Sequence, residues 1–319
     1  MNTLVFWIPI FLLSIAMLIK SSQWLTNSAE KIGLHFKIPA FIVGVTIVSI
    51  GTSLPEIISS IFAVLEGSPE IVTANVIGSN ITNIFLILGV GAIIAKKVEI
   101  SYDLLHVDLP FFVGSSFFLV LTLLDSKFTL LEGLLALSGA AIYLFYTINT
   151  RKKQESKEIK KELQDEHKGT KLNLLTVATI FFSSILIFIS AKYTVQSVIE
   201  IADILGTGKE IVAIGVVALG TSLPEFAVVV NAARKGKSEM VVGSVLGSSI
   251  FNSFGVMGLA SLFGELTVSS NLLSFALPIM IVATILYFFI AQEKQITKWE
   301  GWLLLIFYLF FLAEVINYS

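Results

Sequence analysis

Apolar stretches recur along the chain, separated mostly by short polar connections. Ten of them, at about 3–20, 38–65, 70–94, 107–124, 128–149, 172–192, 210–233, 239–263, 271–291 and 300–317, approach or exceed the length of a spanning helix. A helix crosses the hydrocarbon layer in roughly 20 residues. Only one connection is long, at 151–171, and it opens with Arg151-Lys152-Lys153 and carries thirteen charged residues in twenty-one. Glu and Lys recur there three and four apart, the spacing of a solvated, partly helical segment. The pattern predicts an all-α membrane protein of about ten transmembrane helices. It divides the chain into a five-helix unit at 1–150, a charged linker at 151–171 and a second five-helix unit at 172–319.

Composition narrows the function classes. The 319 residues are 55% hydrophobic and 14% charged with a net charge of −2, and the mean hydropathy is +0.88. A soluble domain carries about 25% charged residues, so a soluble enzyme or a nucleic-acid binder is excluded. The chain has no cysteine, which removes disulfides, thiolate metal sites and cysteine nucleophiles. Met1-Asn2-Thr3 lacks the basic residues of a secretory signal, so the first apolar run reads as a retained span.

The basic residues set an orientation. Alternate connections collect Lys20, Lys31 and Lys37; Lys96 and Lys97; eight in the linker; Arg234, Lys235 and Lys237; Lys294 and Lys298. That is eighteen of twenty-one, leaving Lys127, Lys192 and Lys209 for the opposite face. By the positive-inside rule the linker is cytoplasmic and both termini are extracytoplasmic, in a plasma (inner) membrane.

The two halves repeat one unit. Gly51-Thr52-Ser53-Leu54-Pro55-Glu56 returns as Gly220-Thr221-Ser222-Leu223-Pro224-Glu225, an offset of 169 residues. The same offset carries Gly78 to Gly247, Ser79 to Ser248, Asn83 to Asn252 and Gly89 to Gly258 with no gap. Five spans per unit force the second copy to enter the bilayer from the other side. The expected architecture is therefore two inverted five-helix repeats, as in many secondary transporters.

Each hexapeptide lies inside an apolar span, where Gly and Pro loosen the helix. On their own they read equally well as a plain kink. A carboxylate at that depth costs several kcal/mol unless a cation, a proton or a basic partner meets it, and no Lys or Arg lies as deep as Glu56 and Glu225. Ser79 and Asn83 are four apart and share one helix face, as do Ser248 and Asn252. Ala74-x-x-x-Gly78 and Gly243-x-x-x-Gly247 are small-xxx-small patterns that let helices approach closely. The candidate ligands are oxygens throughout: two carboxylates, two amides and the hydroxyls of Thr52, Ser53, Ser79, Thr221, Ser222 and Ser248. Such a set suits a hard cation, and calcium takes about 6–8 oxygens. Zinc or copper calls for imidazole or thiolate, and His35, His106 and His167 fall at connections or span ends.

The paired GTSLPE motifs, with GSN-x-x-N in one copy and GSS-x-x-N in the other, resemble the two alpha-repeats of the sodium/calcium exchanger family of calcium/cation antiporters. The resemblance covers about 40–95 and 210–265 specifically, and the ten-span plan fits the rest of the family. It implies a prokaryotic-type exchanger, not an enzyme, with calcium and sodium as transported ions, the bilayer as surroundings and no cofactor. It also implies alternating access to one mid-membrane site. By resemblance Glu56 and Glu225 are the central carboxylates, with Asn83 and Asn252 completing the middle. Thr52, Thr221, Ser79 and Ser248 would line flanking sodium positions, assisted by backbone carbonyls of Ser49 and Ala218; Ser53 and Ser222 are secondary candidates.

One departure stands out. Typical family members carry Asp where this chain has Asn252, and potassium-dependent relatives carry Asp at both middle positions. Asn at both argues against potassium dependence and leaves sodium or proton coupling open. The linker is too short for the calcium-sensing domains of animal exchangers. Two further classes compete. An intramembrane hydrolase would need its acid and base in unlike environments, whereas the two Glu motifs are the same. A channel is the other, but inverted repeats with matched broken helices favour alternating access.

Overall fold

The computed structural model describes residues 2–35, 53–100, 107–154, 174–236, 238–270 and 272–317. Helices dominate them. Seven, Leu4–Ser28, Glu70–Ala95, Leu130–Thr147, Leu175–Leu205, Met240–Ser261, Leu272–Gln292 and Lys298–Asn317, include stretches long and apolar enough to cross a membrane. An eighth crossing is the pair Lys209–Thr221 and Leu223–Arg234, bent by 43° at the break. Two shorter apolar helices, Leu54–Leu65 and Leu109–Leu123, bring the number of helical passages among the described residues to ten. They are numbered first to tenth below, in chain order.

Helix ends differ from the expected ones in two places. The first helix runs from Asn2 to His35 and the sixth from Leu174 to Leu205. Lys20 and Lys31 therefore lie on the first helix rather than in a connection, and Lys192 lies within the sixth. At about 1.5 Å per residue either helix outruns a hydrocarbon layer of roughly 30 Å. Hydropathy marks where a helix leaves the lipid, while its backbone hydrogen bonds continue beyond. The two helices pack along each other, and the Thr194 hydroxyl donates to Ser14 Oγ at 3.0 Å between them.

The bundle has a centre and a rim. In the third helix 78% of the spanning window is buried and in the eighth 61%, against 28% and 22% in the first and sixth. The rim helices turn Phe6, Leu12, Leu13, Phe181, Phe182 and Phe188 outward, a face that lipid covers as well as protein would. Small residues set the closest approaches inside. A Cβ on Gly78 would lie 2.6 Å from the Ile214 carbonyl and 2.8 Å from Ala218 Cβ, so the expected small-xxx-small contact joins the third helix to the seventh. The positions equivalent to Ile214 and Ala218, 45 and 49, fall outside the described residues.

Among the described residues, the all-helical expectation is relaxed at the connections by two short ribbons. β1 (Lys97–Glu99) pairs antiparallel with β4 (Gln295–Thr297), and β2 (Lys127–Phe128) with β3 (Leu266–Thr267). Their registers are related by the repeat. Lys97 faces Thr297, and the 169-residue offset turns that pair into Leu266 facing Phe128. Val98 facing Ile296 likewise becomes Thr267 facing Lys127. Gly67 and Gly236, one offset apart, hold the same left-handed turn at φ +70° and +68°, a conformation glycine adopts without a Cβ penalty.

Candidate functional site

Four helices meet at the centre of the bundle, two from each half. In the second and seventh the motif Pro lies in the first turn of a helix, behind Ser53 (φ −88°, ψ 5°) and Ser222 (φ −82°, ψ 2°). Pro is tolerated there because the first turn needs no N–H from it. This places Glu56 and Glu225 in the first turns of the helices Leu54–Leu65 and Leu223–Arg234. The helix dipole there favours a negative charge, which offsets part of the cost of holding each carboxylate in a dry interior.

The third and eighth helices face them. Both change to wider π-type winding at the motif Asn, over Asn83–Leu88 and Asn252–Val256. Such local widening frequently marks functional positions, and it recurs here at the same place in each copy.

Glu56 and Glu225 are 1% and 2% exposed, and their carboxyls are close enough for their charges to act on each other. The Thr221 hydroxyl lies within hydrogen-bonding reach of Glu56 and 3.4 Å from Asn75 Oδ1. The Ser248 hydroxyl donates to Glu225 Oε1 at 3.4 Å. Asn83, Asn252, Ser79, Ser53 and Ser222, on the same four helices, are also buried. The Ala218 carbonyl accepts the Ser222 N–H at 3.2 Å and faces the Thr221 hydroxyl at 3.5 Å. Thr52 and Ser49 fall outside the described residues.

Among the described residues, Glu56 Oε2, Asn83 Oδ1, Asn252 Oδ1 and the hydroxyl oxygens of Ser53, Ser79 and Ser222 have no hydrogen-bond partner. Buried polar atoms are nearly always satisfied. An amide or carboxylate oxygen can only accept, so a group of them calls for a donor or a cation. No group of three or more His, Cys, Asp or Glu side chains that could hold a metal ion occurs among the described residues. The donor set is thus two carboxylates plus neutral oxygens, which matches a hard cation.

The residues that sequence reasoning passed over are Asn80, Ser249, Asn75 and Ser253. Asn83 Nδ2 donates to Ser249 Oγ at 3.4 Å, and Asn252 Nδ2 donates to Asn80 Oδ1 at 3.4 Å. Asn80 Nδ2 in turn donates to Ser253 Oγ at 2.9 Å. Asn80 and Ser249 are themselves one offset apart, and that correspondence was the available signal.

Comparison with known proteins gives one answer. The family model "Sodium/calcium exchanger protein" matches residues 6–149 and 175–317, both halves of the chain. The sodium/calcium exchanger MaX1 of Methanosarcina acetivorans is 33% identical, over 95% of this chain and 97% of that protein. Membrane protein MJ0091 of Methanocaldococcus jannaschii is 30% identical over 98% and 99%. Among solved structures, the sodium-calcium exchanger NCX_Mj soaked with 10 mM Na+ and 10 mM Sr2+ superposes with a TM-score of 0.66 at 29% identity, covering 97% of this chain and 98% of that one. Family model, full-length relatives and superposed structure agree, and the chain is a multi-pass membrane protein of the sodium/calcium exchanger family.

Proposed function

We propose that this protein exchanges sodium for calcium by alternating access to one site between the second, third, seventh and eighth helices. The observation that carries the reading is the set of buried oxygens without partners on the same four helices as the buried Glu56 and Glu225, drawn from both halves of the chain. Glu56, Glu225, Asn83 and Asn252 form the middle of that site, with Thr52, Thr221, Ser79 and Ser248 flanking it. Ser53, Ser222 and the backbone carbonyls of Ser49 and Ala218 contribute at its edge.

Charge explains why exchange is coupled. With both glutamates ionised the empty site carries two negative charges in a low-dielectric interior, which opposes reorientation. One calcium ion or two sodium ions cancel those charges. The protein then changes its open face loaded, and each passage of one ion requires a return passage with another.

The equivalent registers of the two ribbons support units at 1–150 and 172–319 related by a two-fold axis, joined by the linker 151–171. β1 and β4 lie in odd-numbered connections and β2 and β3 in even-numbered ones, so the axis exchanges the two membrane faces. In this reading the linker is cytoplasmic, both termini are extracytoplasmic and the host is the plasma (inner) membrane. Protons are the competing coupling ion, because Asn252 stands where the family usually has Asp. Calcium flux into proteoliposomes, measured with sodium, potassium and proton gradients imposed one at a time, decides between them. Sodium alone should drive it; flux driven by a pH gradient without sodium would transfer the coupling to protons.

A further inference from the structure

Asn83 and Asn252 can serve as ligands only if their amides are turned the right way round. An amide is planar, with an acceptor oxygen and a donor NH2 of nearly equal size. Free rotation would present the NH2 to a cation half of the time. In this protein each NH2 is held from the opposite repeat: Asn83 Nδ2 by Ser249 Oγ and Asn252 Nδ2 by Asn80 Oδ1, both at 3.4 Å. All four residues are at most 2% exposed, so no bulk water competes for those donors. Each amide oxygen is left without a partner among the described residues.

Asn80 is fixed in its turn. Its own NH2 donates to Ser253 Oγ at 2.9 Å and lies 4.0 Å from Met280 Sδ, which leaves its oxygen directed at Asn252. Ser249 needs no such help, because a hydroxyl presents an acceptor however it turns. The two holding residues differ in type, yet they occupy one position of the repeat and do one thing.

We propose that Asn80 and Ser249 are the positioning residues of the ion site, each holding the ligand asparagine of the other repeat with its carbonyl oxygen toward the cation. The inference rests on the site reading above and deepens it: the two repeats orient each other's ligands, so the site exists only while the third and eighth helices are paired. It also accounts for the tolerance of Asn at position 252. A carboxylate needs no orientation because both its oxygens accept, whereas an amide does, and Asn80 supplies it.

Calcium exchange in proteoliposomes tests this with Asn80→Ala, Ser249→Ala and the exchange variants Asn80→Ser and Ser249→Asn. The last two install at each position the residue of the other repeat. Losing one neutral hydrogen bond should raise KM for calcium about three- to tenfold in the alanine variants, with little change in the maximal rate. Asn80→Ser and Ser249→Asn should return KM close to wild type, which a purely structural role would not produce. Alanine variants with wild-type KM, or exchange variants as impaired as the alanines, would overturn the proposal. Normal exchange in Glu56→Gln, run alongside, would remove the site reading itself and is distinguishable from either result.

Discussion

Ser248 on the eighth helix donates its hydroxyl hydrogen to Glu225 Oε1 on the seventh, across 3.4 Å. Its repeat equivalent, Ser79, is fully buried and its hydroxyl has no partner among the described residues. The two halves thus share a sequence pattern but hold their serines differently, and the site has two unlike sides.

That difference predicts unequal serine variants. A hydrogen bond to a charged group contributes about 1.5–3 kcal/mol, so Ser248→Ala should weaken calcium binding by roughly tenfold or more. Ser79→Ala removes no formed bond and should cost about threefold or less. Calcium titration of the purified variants checks the order, and equal losses would contradict it.

Glu56→Gln and Glu225→Gln should each reduce calcium exchange to background while the protein remains folded. An amide costs less to bury than an unpaired carboxylate, so the thermal midpoint should hold or rise. Flux assays and melting curves on the same preparations separate loss of the site from loss of the fold.

Gly78 admits no side chain, since a Cβ there would press on the Ile214 carbonyl at 2.6 Å. Overpacking of this kind costs about 1–3 kcal/mol. Gly78→Val should therefore lower the melting temperature and slow exchange by prising the third helix from the seventh. Gly114→Ala, where nothing lies within 4 Å, is the matched control and should change neither.

Pro224 sits in the first helical turn after the 43° bend of the seventh helix. Replacing it with alanine costs little in a first turn and supplies a backbone N–H that can bond back across the break, which lets the helix run straighter. Pro224→Ala should leave stability unchanged or raised while lowering the exchange rate, because a straighter helix re-aims Glu225. Wild-type exchange at raised stability would detach the bend from transport.

Much of the fold and of the candidate site is legible in the sequence. Glu56 and Glu225 stood out because a charge inside an apolar run conflicts with its surroundings, and the constant offset tied them together. The break in the seventh helix followed from Gly220 and Pro224, and the close approach at Gly78 from its spacing with Ala74. What stayed hidden depends on pairing across helices or on backbone winding. Asn80 and Ser249 are ordinary polar residues until the third and eighth helices bring them against Asn252 and Asn83. The π-type winding that begins at both motif asparagines carries no residue signature. The lengths of the first and sixth helices are not legible either, because charge marks the lipid boundary and not the end of backbone hydrogen bonding.

A single site around Glu56 and Glu225 is proposed to take both ions. Calcium titration of the purified protein at rising sodium concentration measures this without a membrane. Competition for Glu56 and Glu225 predicts an apparent calcium Kd that climbs steadily with sodium. A calcium Kd indifferent to sodium, in protein that binds calcium normally, would contradict it.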